Sequence, residues 1–272
     1  MSGATGHIKR FYKVLSSIYH TADHRTFFAY IIAICFSLPE IIAKRSLGPA
    51  DRKVHLANCC FTPFNRRIFL SSAFFDLARE IYCEKTYFLP GNFFIPENGT
   101  VVDIGANVGV FTILAALHSR KVIAIEGQSE FIPIIKDNLA KNGCMEEVHI
   151  EFGLIGAGSG VFADTAKIQA ASHYGMAPPH LQIEEIINRY GVEKIDFMKI
   201  DIEGSEFDLF KGNVHWLEKV CKIAMEIHQE FGDGRTIVKT LQDNGFRVSI
   251  ANNSKRFVAE LHDPIGYLFA EK

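Results

Sequence analysis

The run Val101-Val102-Asp103-Ile104-Gly105-Ala106-Asn107-Val108-Gly109-Val110-Phe111 constrains this chain more than any other stretch. A short apolar segment reaches an acid, two glycines follow at a spacing of four, and an apolar helical pattern begins at once. That order predicts strand, tight turn and helix. Gly105 permits the turn, because a residue without Cβ tolerates positive φ. Gly109 lets the helix lie close on the sheet. The first amides of that helix then point outward at the strand's C-terminal end, where they suit an anionic group.

The acid in the turn narrows the ligand. A dinucleotide fingerprint reads G-x-G-x-x-G and its amides receive a pyrophosphate. Here the pattern is D-x-G-x-x-x-G, starting at Asp103. A carboxylate there repels a pyrophosphate and suits a cation. S-adenosylmethionine fits: it carries an ammonium, a sulfonium and one carboxylate, and no phosphate. The same two features weigh against the alternative, a nicotinamide-dependent oxidoreductase on a similar sheet. The next apolar run, Lys121 to Glu126, ends in an acid 21 residues beyond Gly105. At that distance a carboxylate can accept both ribose hydroxyls. Ala106 belongs to the turn, and Gly127 continues the adenosine side by adjacency. Asn107 suits either a helix cap or a contact to the methionine carboxylate.

From Thr100 onward, strand and helix patterns alternate. Strands are expected at 101–104, 121–126, 147–152, 194–200, 221–228, 246–251 and 265–270. Helices are expected at 107–118, 129–142 with Ser129 as N-cap, 182–190, 205–218 and 235–244. Such alternation argues a doubly wound α/β sheet. The last two strands lack a helical pattern between them, so the final one should run antiparallel. Turn chemistry at Pro90-Gly91-Asn92 and Pro96-Glu97-Asn98-Gly99 marks a junction. The expected division is therefore a mostly helical extension over 1–95 and a ligand-binding domain over 96–272.

Asp103-Ile104-Gly105-Ala106-Asn107-Val108-Gly109, Glu126, and Ile195-Asp196-Phe197-Met198-Lys199-Ile200-Asp201-Ile202-Glu203-Gly204-Ser205-Glu206 together resemble the FkbM family of S-adenosylmethionine-dependent methyltransferases. The resemblance covers roughly residues 80 to 270. It implies the class I methyltransferase fold, a Rossmann-like sheet of seven mostly parallel strands with an antiparallel last strand. It also implies O-methylation of a hydroxyl on a sugar, polyketide or other small molecule. A non-catalytic scaffold that kept the cofactor fold is the further alternative.

Ligands of open α/β sheets sit beyond the carboxyl ends of the strands. Asp103, Glu126, Asp201 and the run Glu226-Ile227-His228 all fall at such ends. Asp201 ends the strand expected beside the first, where methyl donor and acceptor should meet. An alcohol must lose a proton as it is methylated, so a nearby base helps. His228, with Asp201 and Glu203, forms the candidate catalytic set. An unperturbed imidazole titrates near pH 6.5; neighbouring acids would raise that value and burial would lower it. Glu203 and Glu206 also suit the first turn of a helix, where acids offset the macrodipole. Asp201, Glu226 and His228 are hard donors, but no spacing supports a metal, and none is assigned. His173 and His180 fall in a loop with Pro178-Pro179 that could act as a lid.

A formal net charge of −2 gives no electrostatic case for nucleic acid. The six cysteines form no CxxC pair, and scattered thiols fit a reducing cytoplasm. The first residues lack a signal peptide's apolar region and small-residue cleavage site. Cytoplasmic location is therefore expected. Residues 27–43 are the most apolar segment, flanked by Arg25 and Lys44-Arg45. Pro39 and Glu40 interrupt it near its end, which disfavours a membrane span. A helix buried on the catalytic domain or on a second subunit is favoured, with attachment at a membrane surface as the alternative. Phe is abundant, at 23 of 272 residues, which fits either an aromatic core or an apolar-facing surface.

Overall fold

The computed structural model describes residues 2–156 and 178–272. Contacts divide the chain into two units, Met1–Thr86 and Tyr87–Lys272.

The first unit is built on two helices, α1 (Ser2–Thr21) and α2 (His24–Lys44). Asp23 starts α2, its side chain accepting from the Thr26 amide at 2.8 Å. Arg45 ends it in the left-handed conformation. Thr26, Tyr30, Ala33, Ile34, Ser37 and Ile41 form its buried face. Tyr30 stacks on Phe75 with ring centres 4.7 Å apart. A one-turn helix, α3 (Gly48–Asp51), precedes a small hairpin of β1 (Cys59–Phe61) and β2 (Ile68–Leu70). The chain then coils through α4 (Phe75–Ala78) into a π-helical turn, Arg79–Cys83. Arg79 pairs with the buried Asp51 at 2.9 Å and also with Glu84.

The apolar spacing of residues 67–84 predicts one helix, but the segment splits between strand and helix. Ile68, Phe69 and Leu70 alternate buried, exposed, buried, which is the period of a strand. Only after Ser71, whose side chain accepts from the Ala73 amide, does the backbone coil.

The second unit carries one sheet ordered β5-β4-β3-β6-β7-β10-β8-β9. Its strands are β3 (Thr100–Ile104), β4 (Lys121–Glu126), β5 (Val148–Phe152), β6 (Phe197–Ile200), β7 (Lys222–His228), β8 (Arg247–Asn252), β9 (Phe257–Val258) and β10 (Ile265–Glu271). β3 to β7 pair in parallel. β10 runs antiparallel between β7 and β8, as expected for the last strand. Seven strands make the class I methyltransferase arrangement, and the two-residue β9 extends its edge. The described helices are α5 (Val110–Ala116), α6 (Phe131–Lys141), α7 (Ile183–Arg189), α8 (Glu206–Leu209) and α9 (Gly234–Asp243).

Two helices differ from expectation. Ser129 does not cap α6; Glu130 holds that position without a side-chain hydrogen bond. The helix expected over 205–218 stops at Leu209, and a 3-10 turn resumes at His215–Lys219. Gly212 lies between them at φ 75°, which breaks the helical path.

Residues 87–95, read from sequence as part of the extension, pack with the sheet. Tyr87 and Phe88 meet Phe111, and Phe93 meets Phe197 and Phe269. Phe88, Phe93, Phe111, Phe197 and Phe269 thus form an aromatic layer on the sheet. Phe111 is 2% exposed at its centre. Phe111→Ala should destabilise this unit by about 3–5 kcal/mol, read from the urea midpoint. A loss under about 1 kcal/mol would show that the layer is not core.

Candidate active site

The turn after β3 is set by backbone geometry. Gly105 lies at φ 80°, and a Cβ there would sit 1.8 Å from the Asp201 carbonyl oxygen. Only glycine allows the turn to touch the end of β6. Gly105 and Ala106 donate their amides to the Ile125 carbonyl at 2.9 and 3.0 Å. Asn107 adopts φ 53°, and its side chain accepts from the Val108 amide at 2.8 Å. Gly109, at φ 84°, starts α5 and faces Ile135 at 3.3 Å from an ideal Cβ.

Glu126 ends β4 directly beside this turn. One carboxylate oxygen accepts the Asn107 amide and the other the Gln128 amide, each at 2.7 Å. Burial pushes its pKa up to about 7, although those two amides pull the other way. Gly127 follows against Leu154.

Asp103 is fully buried. It accepts from Thr112 Oγ1 at 2.6 Å and lies 3.2 Å from Lys199 Nζ. The cation that sequence reasoning sought for this acid is therefore, in this structure, a side chain of the protein. Lys199, 3% exposed on β6, also donates to the Gly105 carbonyl and lies 3.9 Å from Asp201. Burial alone would lower its pKa; Asp103 and Asp201 outweigh burial and hold it above the usual lysine value. Tyr87 completes the group, donating its hydroxyl to Asp201 at 2.8 Å and placing its ring 5.5 Å from Lys199 Nζ.

A second cluster lies at the ends of β6 and β7. Glu206, fully buried at the start of α8, accepts the His228 amide at 2.7 Å and faces His228 Nδ1 at 3.1 Å. It also accepts from the Gly204 amide. The opposite ring nitrogen, Nε2, lies 3.3 Å from Glu203 and 4.0 Å from Glu226. Glu203 is reached through a left-handed backbone, φ 51°. Burial pulls the His228 pKa down, but the bond to Glu206 and the charges of Glu206, Asp201 and Glu203 raise it to about 9. At neutral pH the imidazole is cationic, so the value near 6.5 that applies to an unperturbed histidine does not hold here. Asp201, Glu203 and His228 offer donor atoms within 4.8 Å of one another, a set able to hold a hard divalent cation.

The structure thus brings Asp103, Gly105, Asn107, Glu126, Asp201, Glu203 and His228 to one end of the sheet. Three members of the site, Lys199, Glu206 and Tyr87, lie outside the set expected from the sequence. Lys199 was visible as a charge inside the buried run Phe197-Met198-Lys199-Ile200. Glu206 was read as a helix-turn acid. Tyr87 comes from 114 residues away in sequence, and nothing local marks it. His180 bridges Leu154, and His173 lies outside the described residues, so the loop between them is not assigned a role.

Residues 103–248 match the Methyltransferase FkbM domain. The chain is 24% identical over 215 residues to the methyltransferase sdnD of Sordaria araneosa, covering 63% of this chain and 81% of that protein. It is 25% identical over 230 residues to the AMB antimetabolite synthetase AmbE of Pseudomonas aeruginosa, covering 65% of this chain but 11% of that much longer protein. Among solved structures, the precorrin-6y C5,15-methyltransferase of Geobacter metallireducens superposes with a TM-score of 0.44 at 15% identity, over 70% of this chain and 88% of that one. SMU.1697c of Streptococcus mutans, solved in complex with SAH, gives 0.44 at 13% identity, over 70% and 96%.

If ribose hydroxyls donate to Glu126, the ionised form binds better. Affinity for S-adenosylhomocysteine should then rise with pH and level off above about 7, by calorimetry. Glu126→Gln should weaken binding by about 1–3 kcal/mol and flatten that dependence. A wild-type affinity independent of pH between 5 and 8 (on the order of the window set by the shift) would remove Glu126 from the site.

Proposed function

The chain belongs to the FkbM methyltransferase family, with S-adenosylmethionine as its cofactor, and on that premise we propose that it methylates a hydroxyl oxygen of a small molecule. A sugar or polyketide alcohol is the expected class, as the family resemblance implies. The nicotinamide-dependent alternative falls with family membership.

The residues fit the cofactor. The turn at Gly105 admits no side chain, and two amides occupy Glu126. A carboxylate has about four acceptor sites, so Glu126 retains capacity for the two ribose hydroxyls. Asn107 and the first amides of α5 would hold the amino-acid end. Bound S-adenosylmethionine supplies a methyl group made electrophilic by its sulfonium.

The observation that carries the oxygen reading is the second cluster. A neutral amine is nucleophilic without losing a proton first, whereas a hydroxyl oxygen is a weak nucleophile until a base removes its proton as it attacks. His228 is oriented as such a base. Glu206 fixes Nδ1 and leaves Nε2 toward Glu203 and Glu226, with Asp201 in the same cluster. In its neutral form Nε2 takes the hydroxyl proton as the oxygen gains the methyl. The surrounding carboxylates stabilise the imidazolium that results. Asp201, held by Tyr87 and Lys199, and the exposed Glu203 orient the acceptor's hydroxyl. Holding oxygen and methyl in line supplies much of the remaining rate enhancement. Small-molecule chemistry also fits the name of one curated relative, an antimetabolite synthetase.

The test is transfer of a labelled methyl group into an array of sugar and polyketide alcohols, with the product identified as an ether. Label entering only amines would overturn the oxygen reading, and no transfer to any acceptor would favour a scaffold. Because His228 must be neutral to accept a proton, kcat should climb with pH through about 9. His228→Asn should lower kcat by about 10²–10⁴-fold and leave cofactor affinity unchanged. A rising limb in the carboxylate range would give the role of base to Asp201 or Glu203.

A further inference from the structure

The helix α2 is apolar on both faces, and only one is covered. Tyr30, Ala33, Ile34, Ser37 and Ile41 are buried within the first unit. Phe28, Ile32, Phe36 and Ile42 point the other way and are 62%, 57%, 75% and 68% exposed. The first three follow each other at four-residue spacing, so they form one continuous stripe. Large apolar side chains left contiguous in water mark an interaction surface.

Charge says what covers it. Residues 1–86 hold 12 Lys and Arg against 6 Asp and Glu, whereas residues 87–272 hold 17 against 25. The cations bracket the stripe: Arg25 at one end, Lys44 and Arg45 at the other. The acid nearest the stripe, Glu40, is paired with Lys53 at 2.7 Å. Beside the stripe lies an open cavity of about 650 Å³ lined by Phe28, Ile32 and Phe36, with Arg25 and Lys53 also in its wall. A surface of apolar side chains edged by cations is the complement of an anionic lipid leaflet.

We propose that α2 lies in the plane of an anionic phospholipid membrane, with Phe28, Ile32, Phe36 and Ile42 among the acyl chains and Arg25, Lys44 and Arg45 at the headgroups. The helix is long and apolar enough to cross a membrane, with a mean hydropathy of 1.9. Spanning would strip its other face of partners it holds within the unit. Tyr30 stacks on Phe75, the Ser37 hydroxyl donates to the Pro49 carbonyl at 3.2 Å, and Thr26 Oγ1 accepts from the Cys60 amide at 2.9 Å. The helix therefore lies on the bilayer and keeps those contacts. This inference is independent of the methyl-transfer reading.

Flotation of the full chain with vesicles tests it. Wild-type protein should float with phosphatidylcholine vesicles containing phosphatidylserine, float far less with phosphatidylcholine alone, and be released by high salt. Ile32→Glu with Phe36→Glu should reduce flotation by at least about tenfold. Arg25→Glu with Lys44→Glu should do the same on anionic vesicles only. Unchanged S-adenosylhomocysteine affinity and far-ultraviolet circular dichroism verify that both variants fold. Failure of the wild type to float, or equal flotation of the variants, overturns the proposal. So does a dimer in sedimentation velocity that Ile32→Glu with Phe36→Glu dissociates while wild-type flotation is absent; the face would then belong to a second copy of the chain.

Discussion

A buried ammonium holds the site together. Lys199 rises from the middle of the sheet and meets Asp103, Asp201 and the carbonyl of Gly105. Charges taken out of water cost several kcal/mol each, and removing one partner of a buried pair typically costs about 3–5 kcal/mol. The arrangement is therefore stable only when complete. Completing it fixes three things at once: the acid at the end of β3, the backbone of the Gly105 turn, and the acid at the end of β6. Gly105 seals the same junction sterically, since any side chain would strike the Asp201 carbonyl. The Gly105 turn and the candidate catalytic acid Asp201 are thus one mechanical unit.

The electrostatics of the site follow from an excess of acids. Asp103, Asp201, Glu203, Glu206 and Glu226 converge on two cationic side chains, Lys199 and His228. That imbalance suits a sulfonium and an ammonium and opposes a pyrophosphate. It also explains why His228 stays protonated at neutral pH despite burial. A stronger base is gained, at the cost of a smaller neutral fraction below pH 9. Glu206 does the orienting: it is buried at a helix start and held by the Gly204 and His228 amides and the His228 ring.

Much of this was legible in the sequence because it depends on local rules. Strand β4 falls at Lys121–Glu126 and β10 at Ile265–Glu271, where unbroken apolar runs end in acids. Positive φ at Gly105 follows from the turn itself; Gly109, expected to let the helix lie close on the sheet, instead adopts φ 84° and faces Ile135 of α6. What stayed hidden depends on long-range packing. Tyr87 reaches Asp201 across 114 residues. The pKa of His228 is set by Glu206, 22 residues earlier, whose local pattern suggested only a helix-turn acid. Residues 67–84 carried apolar spacing that fits a helix, yet pairing with Cys59–Phe61 drew the first of them into a strand. Lys199 was legible as an anomaly, but its partners lie on a neighbouring strand and in the turn beyond it.

The most direct measurement is a double-mutant cycle between Lys199→Met and Asp103→Asn, read as S-adenosylhomocysteine affinity in protein shown to be folded by circular dichroism. If the buried pair sets the cofactor turn, each single change weakens binding by about tenfold or more, and the double variant is no worse than Lys199→Met alone. Strictly additive losses, or a folded Lys199→Met variant that binds as tightly as wild type, would contradict the account.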